Sequence, residues 1–518
     1  MNKNKKITIL DTTLRDGEQT PGVSFTSREK LIIAKSLLTE VGVNIVEATS
    51  ARVSEGELNT IRDLCGWAQS EGFIDSIEIL GFVDINRSAD WIISGGGRVM
   101  NLLTKGSKRH LSMQLKKTPQ EHITDIEKTV DYATDHGMIV NVYLEDYSSG
   151  MRALVNNSDE YITDIISAIS AMKVNRIMLP DTLGILSPAE TKRYIKIIVE
   201  KFPAHEFDFH AHNDYGLATA NTIAAIESGA CCVHTTVNGL GERAGNAPLA
   251  EVVAAVHDHL NLKTSVSEKE LFRISEIVEA YSGERVSHNK PVMGDYVFTQ
   301  TAGIHADGDK KGDLYANLLT PARFGREREY ALGKLSGGAS IEHNLKKLGI
   351  ELESGEMKAL LKRVIELGDR KETVTVEDLP FIIADVLDTP QERKIEIKSC
   401  LVASGKGVTP TASFILKYEG EVIKEGASGD GGYDAFMNAL RSASKKISLE
   451  LPKLVDYEVR IPPGGRTDAI VETKITWQSG KTRFNTTGVD TDQVMAAVKA
   501  TEKMLNLITT DSFLRNKK

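Results

Sequence analysis

The sequence predicts an α/β protein: a parallel (β/α)8 TIM-type barrel over residues 1–265, a helical linker region at 266–390, and an α+β domain with an internal repeat at 391–518. Three observations predict it. Eight short β-branched runs alternate with helical patterns across about 250 residues, the number and spacing that a closed parallel barrel requires, with a doubly wound open sheet as the alternative. Polar and charged residues gather just after those runs, at the end of a barrel where chemistry collects. Beyond residue 390 the rhythm changes to strands followed by a helix, and that order occurs twice.

The barrel strands are read at 7–10, 44–47, 77–82, 99–103, 139–144, 176–179, 207–212 and 232–237. Helices with charged faces are read at 27–41, 120–136, 158–172, 188–201 and 218–228. After the barrel, 268–279 and 354–367 read as helices, and 285–319 as irregular and functional. The run V-E-D-L-P-F-I-I-A-D-V within 373–386 reads as a short helix entry, and 389–393 as a linker. In the last part, strands at 394–402 and 412–424, turning at Glu419 and Gly420, lead through G-A-S-G-D-G-G into a helix at 433–447. Strands at 456–461 and 469–477, a turn near Gly480 and a strand to Thr487 then lead through G-V-D-T-D into a helix at 493–507. This repeated strand, strand and helix unit suits pairing and the binding of a ligand between copies. A dimerisation module alone is the plainer alternative.

Composition narrows the function classes. A chain of 518 residues that is 41% hydrophobic can bury a large core. Its net charge of −9 argues against a nucleic-acid partner and favours small molecules. No apolar run approaches the roughly 20 residues of a membrane span, and the polar start lacks a signal-peptide core, so a cytoplasmic protein without a membrane partner is expected. Cys65, Cys231, Cys232 and Cys400 show no C-x-x-C spacing, which points to neither a disulfide scaffold nor a thiolate zinc site. The vicinal pair reads as strand core.

The run F-D-F-H-A-H-N-D-Y-G at 207–216 anchors the functional reading. Strand parity puts His210 and His212 on one face and Phe207, Phe209 and Ala211 on the other, so two imidazoles can aim at one ion. Two satisfied strand-end histidines are the alternative. Other polar groups follow the strands: Asp11 to Gln19 after the first, Glu47 at the second, Tyr143 and Glu145 at the fifth, Asp181 and Thr182 after the sixth, and G-L-G-E-R-A-G-N after the eighth. Buried charges so gathered are costly unless paired or metal-bound. The proposed ligands are Asp16, His210 and His212, with Asn246 a possible fourth. A carboxylate, two imidazoles and an amide oxygen suit Zn²⁺, Mn²⁺, Co²⁺ or Mg²⁺. The reading requires Asp16 to lie beside both histidines.

D-T-T-L-R-D-G-E-Q-T-P-G near the start, H-A-H-N-D-Y-G at 210–216, N-G-L-G-E-R-A-G-N-A-P-L at 238–249 and T-A-G-I-H-A-D-G at 301–308 resemble the family of 2-isopropylmalate, citramalate and homocitrate synthases. Their wider group includes metal-dependent acyl-CoA lyases. The resemblance implies a Claisen-type condensation of acetyl-CoA with a 2-oxo acid and hydrolysis of the thioester. The ion would act as a Lewis acid on the keto group, and Arg15 would stabilise the alkoxide that forms. Thr182 would bind the oxo acid's carboxylate. The resemblance assigns proton removal from acetyl-CoA to His305, with Glu145 and Tyr315 assisting. Because His305 is far along the chain, delivery by a partner subunit or a following subdomain is expected.

Plainer readings stand beside these. Arg15 can be a salt-bridge partner of Glu47 or Glu145, His305 an idle loop histidine, and Tyr315 a packing residue. The glycine-rich loop with Gly241, Glu242 and Arg243, together with Asp307, is expected to bind part of coenzyme A. Relatives resemble one another in carrying an amide at position 313, where this chain has Asp313. Leu80, Leu103 and Tyr143 are expected to crowd the carbon that bears the oxo acid's side chain, favouring pyruvate over 2-oxoisovalerate; ordinary barrel core is their alternative fate. The last domain resembles the family's regulatory module, which implies a homodimer and an amino-acid effector, isoleucine for a pyruvate-using enzyme. Its pocket is assigned to Leu454, Tyr457, Ile461 and Val471. An acyl-CoA lyase, or a sensor built on an inactive barrel, would be the other classes.

Overall fold

Eight parallel strands close in chain order into a barrel: β1 (Thr8–Asp11), β2 (Ile45–Ser50), β3 (Ile77–Phe82), β4 (Val99–Lys105), β5 (Ile139–Glu145), β6 (Ile177–Asp181), β7 (Phe207–Ala211) and β8 (Cys232–Thr235). Closure is made by β1 against β8, with Thr8 opposite Cys232 and Asp11 opposite Thr235. This computed structural model describes residues 6–312, 314–348, 350–369, 374–387, 394–461, 471–480 and 482–509.

The pleat divides each strand between two environments. Ile9, Ile79, Val142, Leu179, Phe209 and Val233 join the large core between strands and helices. Leu10, Leu80, Tyr143, Met178 and Cys232 form a separate cluster inside the barrel, with Leu103 and Ile45 against it. The outer helices begin where the sequence can cap them. Thr26, Thr118 and Ser187 each accept from the backbone of a Glu three residues on, and that Glu answers the cap's own N–H. Each cap is worth about 1 kcal/mol and fixes where a loop ends and a helix starts. The helix expected at 27–41 runs regularly from Ser27 to Lys35, then widens into a π-helical turn over Ser36–Val41 before Gly42 at φ 80°.

The chain divides into two compact units, 1–298 with 317–327, and 299–316 with 328–518. The first runs past the expected limit at 265, because Leu271, Ile274 and Val278 of the helix Leu271–Ser282 are buried in the barrel's outer core. Within the stretch expected to be irregular, residues 303–310 form a helix, Gly303–Lys310. Its first residue lies so close to Gly337 that a Cβ at 303 would sit 2.6 Å from the Gly337 Cα, which only glycine permits.

In the second unit the two-residue strands β9 (Thr299–Gln300) and β10 (Glu329–Tyr330) pair in parallel. Helices Gly338–Leu348, Ser354–Asp369 and Leu379–Val386 enclose Ile341, Leu345, Leu360, Val364 and Leu379. The expected linker at 389–393 lies outside the described residues.

The last part is a repeat, but of three strands and a helix rather than two. It comprises β11 (Ile395–Gly405), β12 (Val408–Tyr418), β13 (Glu421–Ser428) and the helix Gly432–Lys446, then β14 (Lys453–Arg460), β15 (Val471–Ser479), β16 (Thr482–Asp490) and the helix Gln493–Ile508. The turn at Glu419 and Gly420 has φ of 47° and 91°, a conformation that reverses the chain and makes two strands of one apolar run. Trp477, Ile475, Phe414 and Leu416 are buried against the two helices.

Candidate functional site

Immediately after β1 the chain winds around one carbonyl. Thr12 O accepts the N–H groups of Arg15, Asp16 and Gly17 at 3.2, 2.8 and 3.1 Å, which aims two successive charged side chains at the barrel mouth. Opposite, the loop after β8 folds back on the end of β7. Ala247 N–H donates to Ala211 O, Asn213 N–H donates to Gly245 O, and Asn246 is bridged to His212. Four side chains far apart in sequence therefore meet.

Asp16 Oδ2 lies 3.7 Å from His210 Nε2 and 4.0 Å from His212 Nε2, and the two ring nitrogens are 3.3 Å apart. A point equidistant from the three is about 2.1 Å from each, within the 2.0–2.2 Å range of divalent-ion bonds to nitrogen and oxygen. Burial, then His212, hold the His210 imidazole well below 6.5, and burial holds His212 below it against the pull of Asp16. Both rings are thus neutral at pH 7, and each can offer one lone pair at Nε2 when its proton is on Nδ1. Burial pushes the Asp16 carboxyl up, but Arg15 and the two imidazoles outweigh it and hold the group well below the usual carboxylate range. With the ring protons on Nδ1, the two imidazole lone pairs and the carboxylate converge as a cation requires. Asn246 supports the set: its amide N–H donates to Asp16 Oδ1 at 2.8 Å and to Leu240 O at 3.1 Å, and its buried Oδ1 has no protein partner.

Beside this triangle Arg15 is held from three directions. Its Nε donates to Glu47 Oε2 at 2.7 Å, one terminal nitrogen to Asp16 Oδ2 at 2.7 Å, and the other to the Tyr143 hydroxyl at 3.3 Å. Of the two salt-bridge partners expected for it, Glu47 is found, while Glu145 pairs with Lys105. Glu47, wholly buried, also accepts from Thr12 Oγ1 at 2.7 Å and Asn101 Nδ2 at 2.9 Å. Burial, then Glu47, keep the Tyr143 phenol protonated far above its ordinary value. Leu80, Leu103 and Tyr143 stand together in the inner cluster, with Leu80 5% and Tyr143 2% exposed. Leu103 lies in register between Phe82 and Tyr143. At the rim Thr182 Oγ1 accepts from Asp146 N–H at 2.8 Å, which leaves its own proton to donate.

Gly241 adopts φ 151°, and a Cβ there would lie 2.1 Å from Asn246 Nδ2 and 3.0 Å from Asp16 Oδ1. The close approach of Asn246 and Asp16 thus admits only glycine at this position. Glu242 and Arg243 are exposed at the rim, where Arg243 is bonded to both Asp214 oxygens at 2.8 and 2.9 Å and to Thr182 O at 2.8 Å. His305 and Tyr315 belong to the second unit, where their rings lie 4.2 Å apart and tilted by 33°. His305 is on a helix rather than in the loop expected. The side chains of Asp307 and Asp313 lie outside the described set.

Of the four residues assigned to an effector pocket, Leu454 and Tyr457 pack against the core below the second sheet and Val471 is buried, whereas Ile461 is 59% exposed. Leu454 and Tyr457 are in register with Trp477 and Ile475 on the helix-facing side, so a ligand touching them would have to enter between sheet and helices.

A second group of donors inside the barrel escaped the sequence reading. Asp208, Cys232 and His234 approach one another within 4.8 Å, and Glu78 and Arg176 adjoin them. Strand parity was the available signal, since Asp208 shares the inward face with His210, and Cys232 shares it with His234.

Comparison with known proteins gives three consecutive family matches: HMGL-like over residues 6–278, homocitrate synthase post-HMGL domain-like over 292–372, and LeuA allosteric (dimerisation) domain over 373–509. A protein of Methanocaldococcus jannaschii named (R)-citramalate synthase CimA is 36% identical over 97% of this chain and 99% of its own. One of Archaeoglobus fulgidus, named putative (R)-citramalate synthase CimA, is 36% identical over 97% and 100%. A 2-isopropylmalate synthase of Methanocaldococcus jannaschii is 34% identical over 98% and 96%.

Proposed function

The chain belongs to the family of 2-isopropylmalate, citramalate and homocitrate synthases, and from that premise we propose that it is a citramalate synthase, an acyltransferase that condenses acetyl-CoA with pyruvate and hydrolyses the thioester to release citramalate and CoA. The observation that carries the choice of pyruvate is the wall of Leu80, Leu103 and Tyr143 beside Arg15. Three bulky side chains in one wall disfavour a branched substituent, and the predominant name among the relatives supports the same reading.

Asp16, His210 and His212 would hold a divalent ion, with the Asn246 amide oxygen in reserve. Bound there, the ion supplies Lewis acidity to the keto oxygen. Arg15, charged and already oriented by Glu47 and Asp16, faces the oxygen that becomes an alkoxide, and such preorganised charge acts without reorganisation cost. Thr182 donates its hydroxyl proton to the oxo acid's carboxylate. We assign removal of the acetyl-CoA methyl proton to His305, assisted by Tyr315 and Glu145, and coenzyme contact to Gly241, Glu242, Arg243 and Asp307. The LeuA-type domain supports a homodimer, and we propose isoleucine as its effector, the enzyme opening a threonine-independent route to that amino acid in the cytoplasm. No helix among the described residues is long and apolar enough to cross a membrane.

The test is release of free thiol from acetyl-CoA across a panel of 2-oxo acids. Faster release with 2-oxoisovalerate than with pyruvate would overturn the assignment and leave leucine biosynthesis as the reading.

A further inference from the structure

The second donor group lies directly beneath the oxo-acid pocket. Three donors within 4.8 Å suggest another metal site, but a cation already occupies the position. The Arg176 guanidinium, buried in the barrel, lies 3.6 Å from Asp208 Oδ2 and 3.8 Å from Cys232 Sγ, and a third nitrogen donates to Glu78. Burial also pushes the Cys232 thiol far up, so it offers no thiolate. The group is therefore a fixed scaffold. What it holds is His234, whose side chain is fully buried.

The hydrogen bonds from His234 run in one direction. Its Nε2 is 3.3 Å from Asp208 Oδ2, a carboxylate oxygen that can only accept, so Nε2 carries the proton and Nδ1 is left as an acceptor. Nδ1 lies 2.9 Å from the Tyr143 hydroxyl. That hydroxyl receives an Arg15 N–H at 3.3 Å on its oxygen, and its own proton has two acceptors, Nδ1 at 2.9 Å and Glu47 Oε2 at 3.4 Å. The nearer one is His234. The chain Arg15, Tyr143, His234, Asp208 thus consists of donors each meeting an acceptor, with Arg176 fixing its far end.

We infer that His234, oriented by Asp208, is a positioning residue for oxo-acid selection: its Nδ1 anchors the Tyr143 phenol and so holds closed the wall of the pocket against which the pyruvate methyl group packs. His234 touches no substrate. Without the anchor the phenol keeps only Arg15 and the longer bond to Glu47, both at the mouth, and the ring is free to tilt. The wall then loosens for larger acids and loses its contact with methyl. This inference rests on the oxo-acid pocket proposed above.

The test is a double-mutant cycle between His234→Leu and Tyr143→Phe. kcat and KM are measured by thiol release with pyruvate and with 2-oxobutyrate, which is one methylene longer. His234→Leu is expected to lower the pyruvate preference by about tenfold, the order that one methylene commands in an apolar pocket. The loss should appear mainly as a higher KM for pyruvate, and in the Tyr143→Phe background the same substitution should leave the ratio unchanged. An equal loss of preference in both backgrounds would show that His234 does not act through Tyr143, and an unchanged ratio in the single variant would overturn the inference outright. Should His234→Leu fail to fold, His234→Asn and His234→Gln serve instead. The first keeps an acceptor near Nδ1 and should retain the preference, the second places its polar group near Nε2 and should lose it; identical behaviour overturns the inference. The wild-type panel is read first. An enzyme that prefers 2-oxoisovalerate would refute the pyruvate assignment, yet the cycle could still be read on whichever pair of acids it accepts.

Discussion

Leu103→Ala is the most direct probe of the pocket. Leu103 projects from β4 between Phe82 and Tyr143 in register, and it is only partly buried against the inner cluster. Because Leu103 is only partly buried, the space its truncation leaves should not be sealed in, and the stability cost should fall at the low end of the about 2–5 kcal/mol typical of Leu→Ala. Three carbons leave, and two are needed to turn pyruvate's methyl into the isopropyl group of 2-oxoisovalerate. Each methylene-sized group in an apolar pocket is worth about 1–3 kcal/mol. Allowing for incomplete fit, the ratio of kcat/KM between the two acids should move by about 2–3 kcal/mol toward 2-oxoisovalerate, roughly 30- to 150-fold. The assay is thiol release at saturating acetyl-CoA with each acid varied, and a thermal melt confirms the fold. A ratio that moves less than about threefold, or moves toward pyruvate, would mean that Leu103 is ordinary barrel core and that selection lies elsewhere.

Removing metal with a chelator should abolish turnover, and Zn²⁺, Mn²⁺, Co²⁺ or Mg²⁺ supplied singly should show which ion restores it; calorimetry should detect pyruvate binding with the ion present and none without it. Asp11, buried at the end of β1 with one oxygen lacking a protein partner, gives a pH signature, because burial pushes its carboxyl up from 3.8 to about 7. Well below 3.8 the folded and unfolded chains both carry it neutral. As pH rises the unfolded chain ionises first, so the wild type should lose stability relative to Asp11→Asn, by about 4 kcal/mol once pH passes 7, in denaturant titrations at pH 4 and pH 8. Val471→Asp, a buried charge at the assigned effector pocket, should leave catalysis intact and remove inhibition by isoleucine; continued inhibition would place the effector elsewhere.

The cluster of Asp16, His210 and His212 was legible because each sits in a short motif whose geometry is local. In H-A-H, strand parity alone aims two rings one way, and Asp16 follows a strand end by a fixed turn. The barrel was legible for the same reason, since each β/α unit declares itself. What sequence could not supply was depth across the barrel. His234 looked like part of an apolar strand because its partners Tyr143 and Asp208 are 91 and 26 residues away and meet it only once the barrel closes. Gly241 shows a similar limit: a glycine needed for close approach does not say what approaches, and the structure adds Asn246 to its neighbours. In the C-terminal repeat the turns at Glu419–Gly420 and near Gly480 were legible as reversals, and the structure shows that each separates two full strands, so every unit has three.

Charge balance ties these parts to an order of events. Arg15 is flanked by two carboxylates, Asp16 and Glu47, so the inner pocket without its ion holds one positive and two negative charges in a site shielded from water. An uncompensated buried charge is expensive. Adding a 2-oxo acid to that state brings a third negative group beside Asp16, whereas adding a divalent ion first turns the net charge from −1 to +1. The oxo acid's carboxylate then brings the pocket to neutrality. With an ion held by Asp16, His210 and His212, electrostatics would favour its binding first and the oxo acid second. It also explains why Arg15 must be fixed by Glu47 rather than by Asp16 alone. An arginine anchored only by Asp16 would lose its hold if an ion took that carboxylate, whereas Glu47, supported by Thr12 and Asn101, would keep it in place.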